Sequence, residues 1–133
     1  MLEDLLQIVF VSITTTLFIV ILYNFLISSL EISNNFLMLN SASTMSKVFL
    51  NQFEANGFLD KAEVFGSDKD FVNDFNFSVQ VIDLESLESK NFGQEFNREL
   101  LMEQGKNMVS VESPCLLKSE NIHACKVITR VWS

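Results

Sequence analysis

Residues Leu5–Leu30 read LLQIVFVSITTTLFIVILYNFLISSL, 26 residues without a charge. A helix of that length covers about 39 Å at the α-helical rise. The hydrocarbon core of a bilayer is about 30 Å thick, so the run is long enough to cross a membrane with some tilt. It is apolar on every side, whereas a helix at the surface of a small soluble domain keeps a polar face. Its surroundings are therefore expected to be dry all round, either lipid or other helices. A cleaved secretory signal is the main rival. Such signals open with basic residues, carry an apolar core of about 7–15 residues and end at a small-residue site. Here Met1, Leu2, Glu3 and Asp4 precede the run, the core is longer, and no A-x-A-like site follows. The segment is read as retained.

Composition narrows the remainder. The chain has 133 residues, within the range of about 100–200 that makes one domain. It carries 9 Lys+Arg against 17 Asp+Glu, a net charge of −8. That excludes nucleic acid as a partner, because phosphate binding needs a basic face. Thirteen Phe and 48% apolar residues, with only 4 Gly and 1 Pro, exclude a disordered acidic polymer. The first basic residue is Lys47, so the positive-inside rule gives no orientation. Two other features place the C-terminal part outside the cell. Both cysteines follow the span, which suits an oxidising compartment. From Glu31 onward, 9 basic residues stand against 15 acidic ones.

Residues 31–56 contain neither Pro nor Gly. Ile32, Phe36, Leu39, Met45, Val48, Phe49 and Phe53 fall roughly on a helical stripe. The polar run Asn40-Ser41-Ala42-Ser43-Thr44 is poor helix material and is expected to bend the helix. Gly57 is read as its C-terminal cap. The chain thus divides into residues 1–56, a long helix with a membrane or filament-core segment at 5–30, and residues 57–133, a small β-rich head. The fold class is α+β. Gly57-Phe58-Leu59-Asp60 and Gly66-Ser67-Asp68 punctuate the start of the head. From Asp74 to Asp83 the residues alternate, with Phe75, Phe77, Val79 and Val81 on one side and Asn76, Ser78 and Gln80 on the other, the pattern of a half-buried strand. Leu84–Gly105 reads as a loop leading to a short helix or an irregular excursion.

Asn107–Leu117 and Ile122–Trp132 are β-rich runs separated by Lys118-Ser119-Glu120-Asn121, a hairpin pattern. A turn centred on Glu120 sets Cys115 opposite Cys125. Directly opposed residues of an antiparallel pair have Cα atoms about 4.5–5.5 Å apart, a separation that a disulfide accepts. Closing that ring contributes roughly 3 kcal/mol in the chain-entropy account. The competing reading is two reduced, buried cysteines. A zinc site is rejected, because a structural site takes four ligands and His123 is the only histidine.

No catalytic signature is present. His123 sits beside the hairpin turn with no partner implied by spacing, so it reads as a solvated or hydrogen-bonding turn residue. No Gly-rich phosphate loop, G-x-S-x-G or H-E-x-x-H occurs. Asp68/Asp70 and Glu85/Glu88 lack calcium-loop spacing and read as solvated surface. The chain is not expected to be an enzyme, nor to take a cofactor, metal or small-molecule substrate. Glu3 and Asp4 stand at the helix start, where the macrodipole favours an acid. If many copies pack their helices, Glu3 becomes a buried charge whose nearest partner is a neighbour's amino terminus. Gln7 and Asn24, nearly five turns apart, are read as sharing a face, with Ser and Thr as further interhelical hydrogen-bonding groups. Asn76-Phe77-Ser78 is one glycan-acceptor pattern.

The layout, a 50-residue amino-terminal helix dry in its first half followed by a small β-rich head, resembles the type IV pilin-like architecture. Pro114-Cys115-Leu116-Leu117 and Ile122-His123-Ala124-Cys125-Lys126-Val127-Ile128-Thr129-Arg130-Val131-Trp132 are similar to the closing hairpin of small archaeal surface proteins with such anchors. Gly57-Phe58-Leu59-Asp60 and Phe92-Gly93 also look like segments of that group. The resemblance implies a structural subunit whose helices bundle into a filament core and whose heads form its outer surface, with the membrane as its station before assembly. It implies that Glu3 neutralises a neighbour's amino group. Pilin-like precursors carry a short basic leader before the dry helix. In this sequence the acidic Met1-Leu2-Glu3-Asp4 stand before the dry helix, so either the chain stands here without its leader or it is a pilin-like protein that is never processed. The alternative from another class is a single-pass membrane accessory protein that docks a larger complex through its head.

Overall fold

A computed structural model describes residues 1–133. In chain order the elements are α1 (Leu2–Phe53), β1 (Glu54–Ala55), β2 (Phe58–Asp60), α2 (Lys61–Phe65), β3 (Asn76–Asp83), β4 (Ser89–Gly93), α3 (Arg98–Glu103), β5 (Met108–Lys118) and β6 (Ile122–Trp132). This is the expected α+β architecture, a long apolar helix followed by a six-stranded mixed sheet. The chain divides into two compact units, Met1–Asn34 and Asn35–Ser133. The boundary thus falls inside α1, and the second half of that helix belongs with the sheet.

Within the second unit α1 buries Met38, Ala42, Met45, Ser46, Phe49 and Phe53. These positions recur every three or four residues and make one face. The sequence stripe shares Met45, Phe49 and Phe53 with that face. Ile32, Phe36, Leu39 and Val48, also assigned to it, are exposed. Helical spacing from Phe53 leads back through Phe49, Ala42 and Met38, which leaves those four on the flanks or the opposite side. α1 continues without interruption through Asn40–Thr44, the run expected to bend it. Ala42 is fully buried, and the Ser41 hydroxyl donates to Asn73 Oδ1 at 2.8 Å. Tertiary contacts outweigh the weak intrinsic propensity of the run.

Gly57 is not a helix cap. α1 ends at Phe53, and Asn56 and Gly57, with φ of 55° and 82°, form a two-residue turn that pairs Glu54 with Leu59 and Ala55 with Phe58. An Asn-Gly pair with both φ positive is what a type I′ hairpin requires. Asp60 then caps α2 by accepting from the backbone N–H groups of Ala62 and Glu63, the usual work of an acidic N-cap.

The strand order is β1-β2-β5-β6-β3-β4, with β2 and β5 parallel and the other pairs antiparallel. The expected hairpin register holds along its whole length, from Met108 opposite Trp132 to Lys118 opposite Ile122. The strand expected at 74–83 begins at Asn76, and Phe75 packs against the core from just before it. The stretch 84–105 contains the expected short helix, α3, and also β4. Ser78, on the face read as polar, is buried, since its strand lies between β6 and β4. The core is built on four rings, Phe49, Phe53, Phe71 and Phe92, with centroids 4.8–6.4 Å apart in the tilted and edge-on arrangements that the aromatic quadrupole favours.

Candidate functional site

The first unit is a helix surface. Its apolar side chains from Leu5 to Leu30 are 45–71% exposed, and the most apolar stretch of α1 has a mean hydropathy of 2.5 with nothing buried. The helix is long and apolar enough to cross a membrane. Glu3 and Asp4 occupy its first turn. The Met1 amino group lies 3.8 Å from Asp4 Oδ2, with both groups exposed, so the ion pair within the chain uses Asp4 rather than Glu3. Thr14, Thr15 and Thr16 donate their hydroxyls to carbonyls of the preceding turn at 2.7–3.0 Å, the common way for such residues to be satisfied inside a helix. Gln7 and Asn24 are exposed, and neither carboxamide is hydrogen-bonded within the chain. Their expected common face fails for a straight helix. A separation of about 17 residues is about 4.7 turns at 3.6 residues per turn, which sets them about 100° apart.

In the second unit, Cys115 and Cys125 form a disulfide across β5 and β6, with Cα atoms 4.8 Å apart. Cys125 is buried and contributes to the core. The bridge lies three residue pairs from the end of the hairpin at Lys118 and Ile122, where it fixes the register of the two strands.

Asp83 is the buried charge of the head. Alternation along β3 carries Phe77, Val79 and Val81 inward, and Asp83 with them. Its carboxylate accepts from Lys61 Nζ at 2.9 Å and from the backbone N–H groups of Glu85 and Ser86 at 3.0 and 3.4 Å. His123 Nδ1 stands 3.3 Å away. The Lys61 hydrogen bond is the main cause that holds the Asp83 carboxyl far below the usual carboxylate range, against the opposing effect of burial. Lys61 also reaches Glu88 at 2.9 Å, and these bonds, Glu88 first, raise its pKa above the ordinary 10.5. His123 Nε2 is 3.4 Å from Glu85. Glu85 and Glu88, read as solvated surface, are therefore exposed but paired. The cluster ties α2, the end of β3, the turn after it and β6 together, and Lys61 already supplies its positive charge. No group of three or more His, Cys, Asp or Glu side chains is arranged to hold a metal ion.

Arg130 lies on the other face of the sheet. It donates to Gln80 Oε1 at 3.1 Å, and its guanidinium stacks over Phe96 at 4.6 Å from the ring centroid. Phe96 in turn packs against Trp132 at 5.7 Å, so the excursion after β4 covers that face. Asn76 begins β3 opposite Trp132 and is half-buried, while Ser78 of its acceptor pattern is 2% exposed.

Asp83, Lys61 and Arg130 were not singled out by sequence. The signal for Asp83 was present, because the two-residue period running through Phe77, Val79 and Val81 ends on it. Lys61 carries no such signal, since its partner lies 22 residues away. The chain matches no protein-family model, and no curated protein or solved structure matches it.

Proposed function

We propose that the chain is a self-assembling structural subunit, pilin-like in layout, whose amino-terminal helices bundle into a cell-surface filament with the heads outside. The observation that carries this reading is the extent of the exposed apolar surface on α1. It does not stop at Leu30. Ile32, Phe36, Leu37 and Leu39 are 69, 67, 53 and 46% exposed. From Leu5 to Ile32, within the first unit, the helix rises about 40 Å, against a hydrocarbon core of about 30 Å. A lone anchor leaves the excess in water or head groups, whereas packing against neighbouring copies covers it. Exposed apolar patches of this size mark interaction surfaces. The disulfide supports display in an oxidising compartment, and the resemblance of the closing hairpin to small archaeal surface proteins points the same way.

The test is to shear the cells that make the protein and collect fibres by centrifugation. The subunit is expected in the pelleted fibres. Recovery only from detergent-extracted membranes overturns the filament and leaves a single-pass accessory protein that docks through its head.

A further inference from the structure

We propose that α1 pairs in register with the α1 of a second copy, along a seam that runs through Gln7, Thr14, Asn24 and Ser28. The inference rests on the self-association reading above and adds its contact face and alignment. Positions 7, 10, 14, 17, 21, 24 and 28 are separated alternately by three and four residues, the heptad spacing of a two-helix seam. Four of these seven are polar: Gln7, Thr14, Asn24 and Ser28. The other three are Phe10, Leu17 and Ile21. Elsewhere in residues 5–30 the non-aromatic polar side chains are the hydroxyls of Ser12, Thr15, Thr16 and Ser29, so both carboxamides of the segment lie on the seam.

The two carboxamides favour a second copy as the occupant. The Thr14, Thr15 and Thr16 hydroxyls are satisfied by their own helix, but Gln7 and Asn24 are not, and an unpartnered amide in a dry setting is costly. A carboxamide both donates and accepts, so it is complementary to an identical carboxamide across a two-fold axis. Gln7 then meets its counterpart only when the helices are parallel and unshifted, and Asn24 sets the same alignment. A lone polar amide on such a seam is a known device for fixing register. A repeat of about 3.5 residues winds the pair left-handed. In that supercoil a 17-residue separation is about 4.9 turns, so residues on different faces of a straight helix come to flank one seam. Glu3 and Glu31 close the seam at its two ends, beyond the uncharged segment.

The test uses the full chain in phosphatidylcholine vesicles. Single cysteines replace Phe10, Leu17 or Ile21 on the seam, and Ile19 or Leu26 on the far side. Oxidative cross-linking is expected to give dimers at 10, 17 and 21 and monomers at 19 and 26. Gln7→Leu and Asn24→Leu keep the segment apolar enough to insert, and each is expected to weaken dimerisation by about 3- to 15-fold. Dimers at 19 and 26, equal yields at all five positions, or unchanged association of both Leu variants overturn the seam. The companion measurement is the fibre pellet. Fibres without seam cross-links overturn the in-register pair and leave assembly standing. Monomers at every position together with no fibres overturn both.

Discussion

Thr129 is fully buried in β6 and its hydroxyl has no hydrogen-bond partner. A buried, unsatisfied hydroxyl costs stability, and valine fills the same volume without it. Thr129→Val is therefore expected to stabilise the protein by about 1 kcal/mol, read as a higher denaturation midpoint of the detergent-solubilised chain. Asp83 is the opposite case, a buried charge that is fully partnered. Its native pKa lies below the value in the unfolded chain, about 3.9. The unfolded state thus binds more protons in acid, and the contribution of Asp83 is complete above about pH 4 and lost progressively below it. Asp83→Asn is expected to cost about 2 kcal/mol at neutral pH and to flatten the fall in stability on acidification. Urea midpoints measured from neutral pH to strongly acidic solution decide the matter, and an acid limb of undiminished slope in the variant counts against it.

Among the elements, legibility followed periodicity. The dry half of α1 and the β5–β6 hairpin were readable because uncharged length and two-residue alternation each have one structural solution. The turn position then fixed the pairing of Cys115 with Cys125 by counting. β4 was not readable, because Ser89-Lys90-Asn91-Phe92-Gly93 offers one apolar side chain and its partner strand supplies the order. Gly93 has a φ of 85°, and a Cβ there would stand 2.7 Å from the Phe77 carbonyl oxygen, a requirement set by tertiary approach. The buried stripe on α1 was half readable. Ala42 and Ser46 lie on it because close packing selects small side chains, which a search for large apolar residues passes over. The element that orders the head is the aromatic contact between α1 and the sheet. Phe49→Ala removes a fully buried ring from the four-ring cluster and is expected to cost about 3–5 kcal/mol, measured by chemical denaturation. A loss below about 1 kcal/mol would place the core elsewhere.

At the scale of the whole molecule, the sequence distributes charge and apolar surface to opposite halves. All 9 basic residues follow Glu31, and the exposed large hydrophobics concentrate before Val48. A protease added to intact cells is expected to remove the head if that half is displayed outside, leaving a membrane-protected amino-terminal fragment. Complete protection of the head, with cleavage only after the membrane is opened, reverses the orientation. Catalytic or ligand chemistry was not legible, and the titratable cluster at Asp83 is engaged in joining four elements rather than left free in a cavity.

The position of β6 sets an order of events during synthesis. It lies between β5 and β3 at the middle of the sheet, yet it is made after every other element. The dry helix leaves the ribosome first and can enter the bilayer while the head is still an open chain. The sheet closes only once Ile122–Trp132 has been made, so the bond that joins Cys125 to Cys115 is a late stamp on a head whose other strands are already in hand.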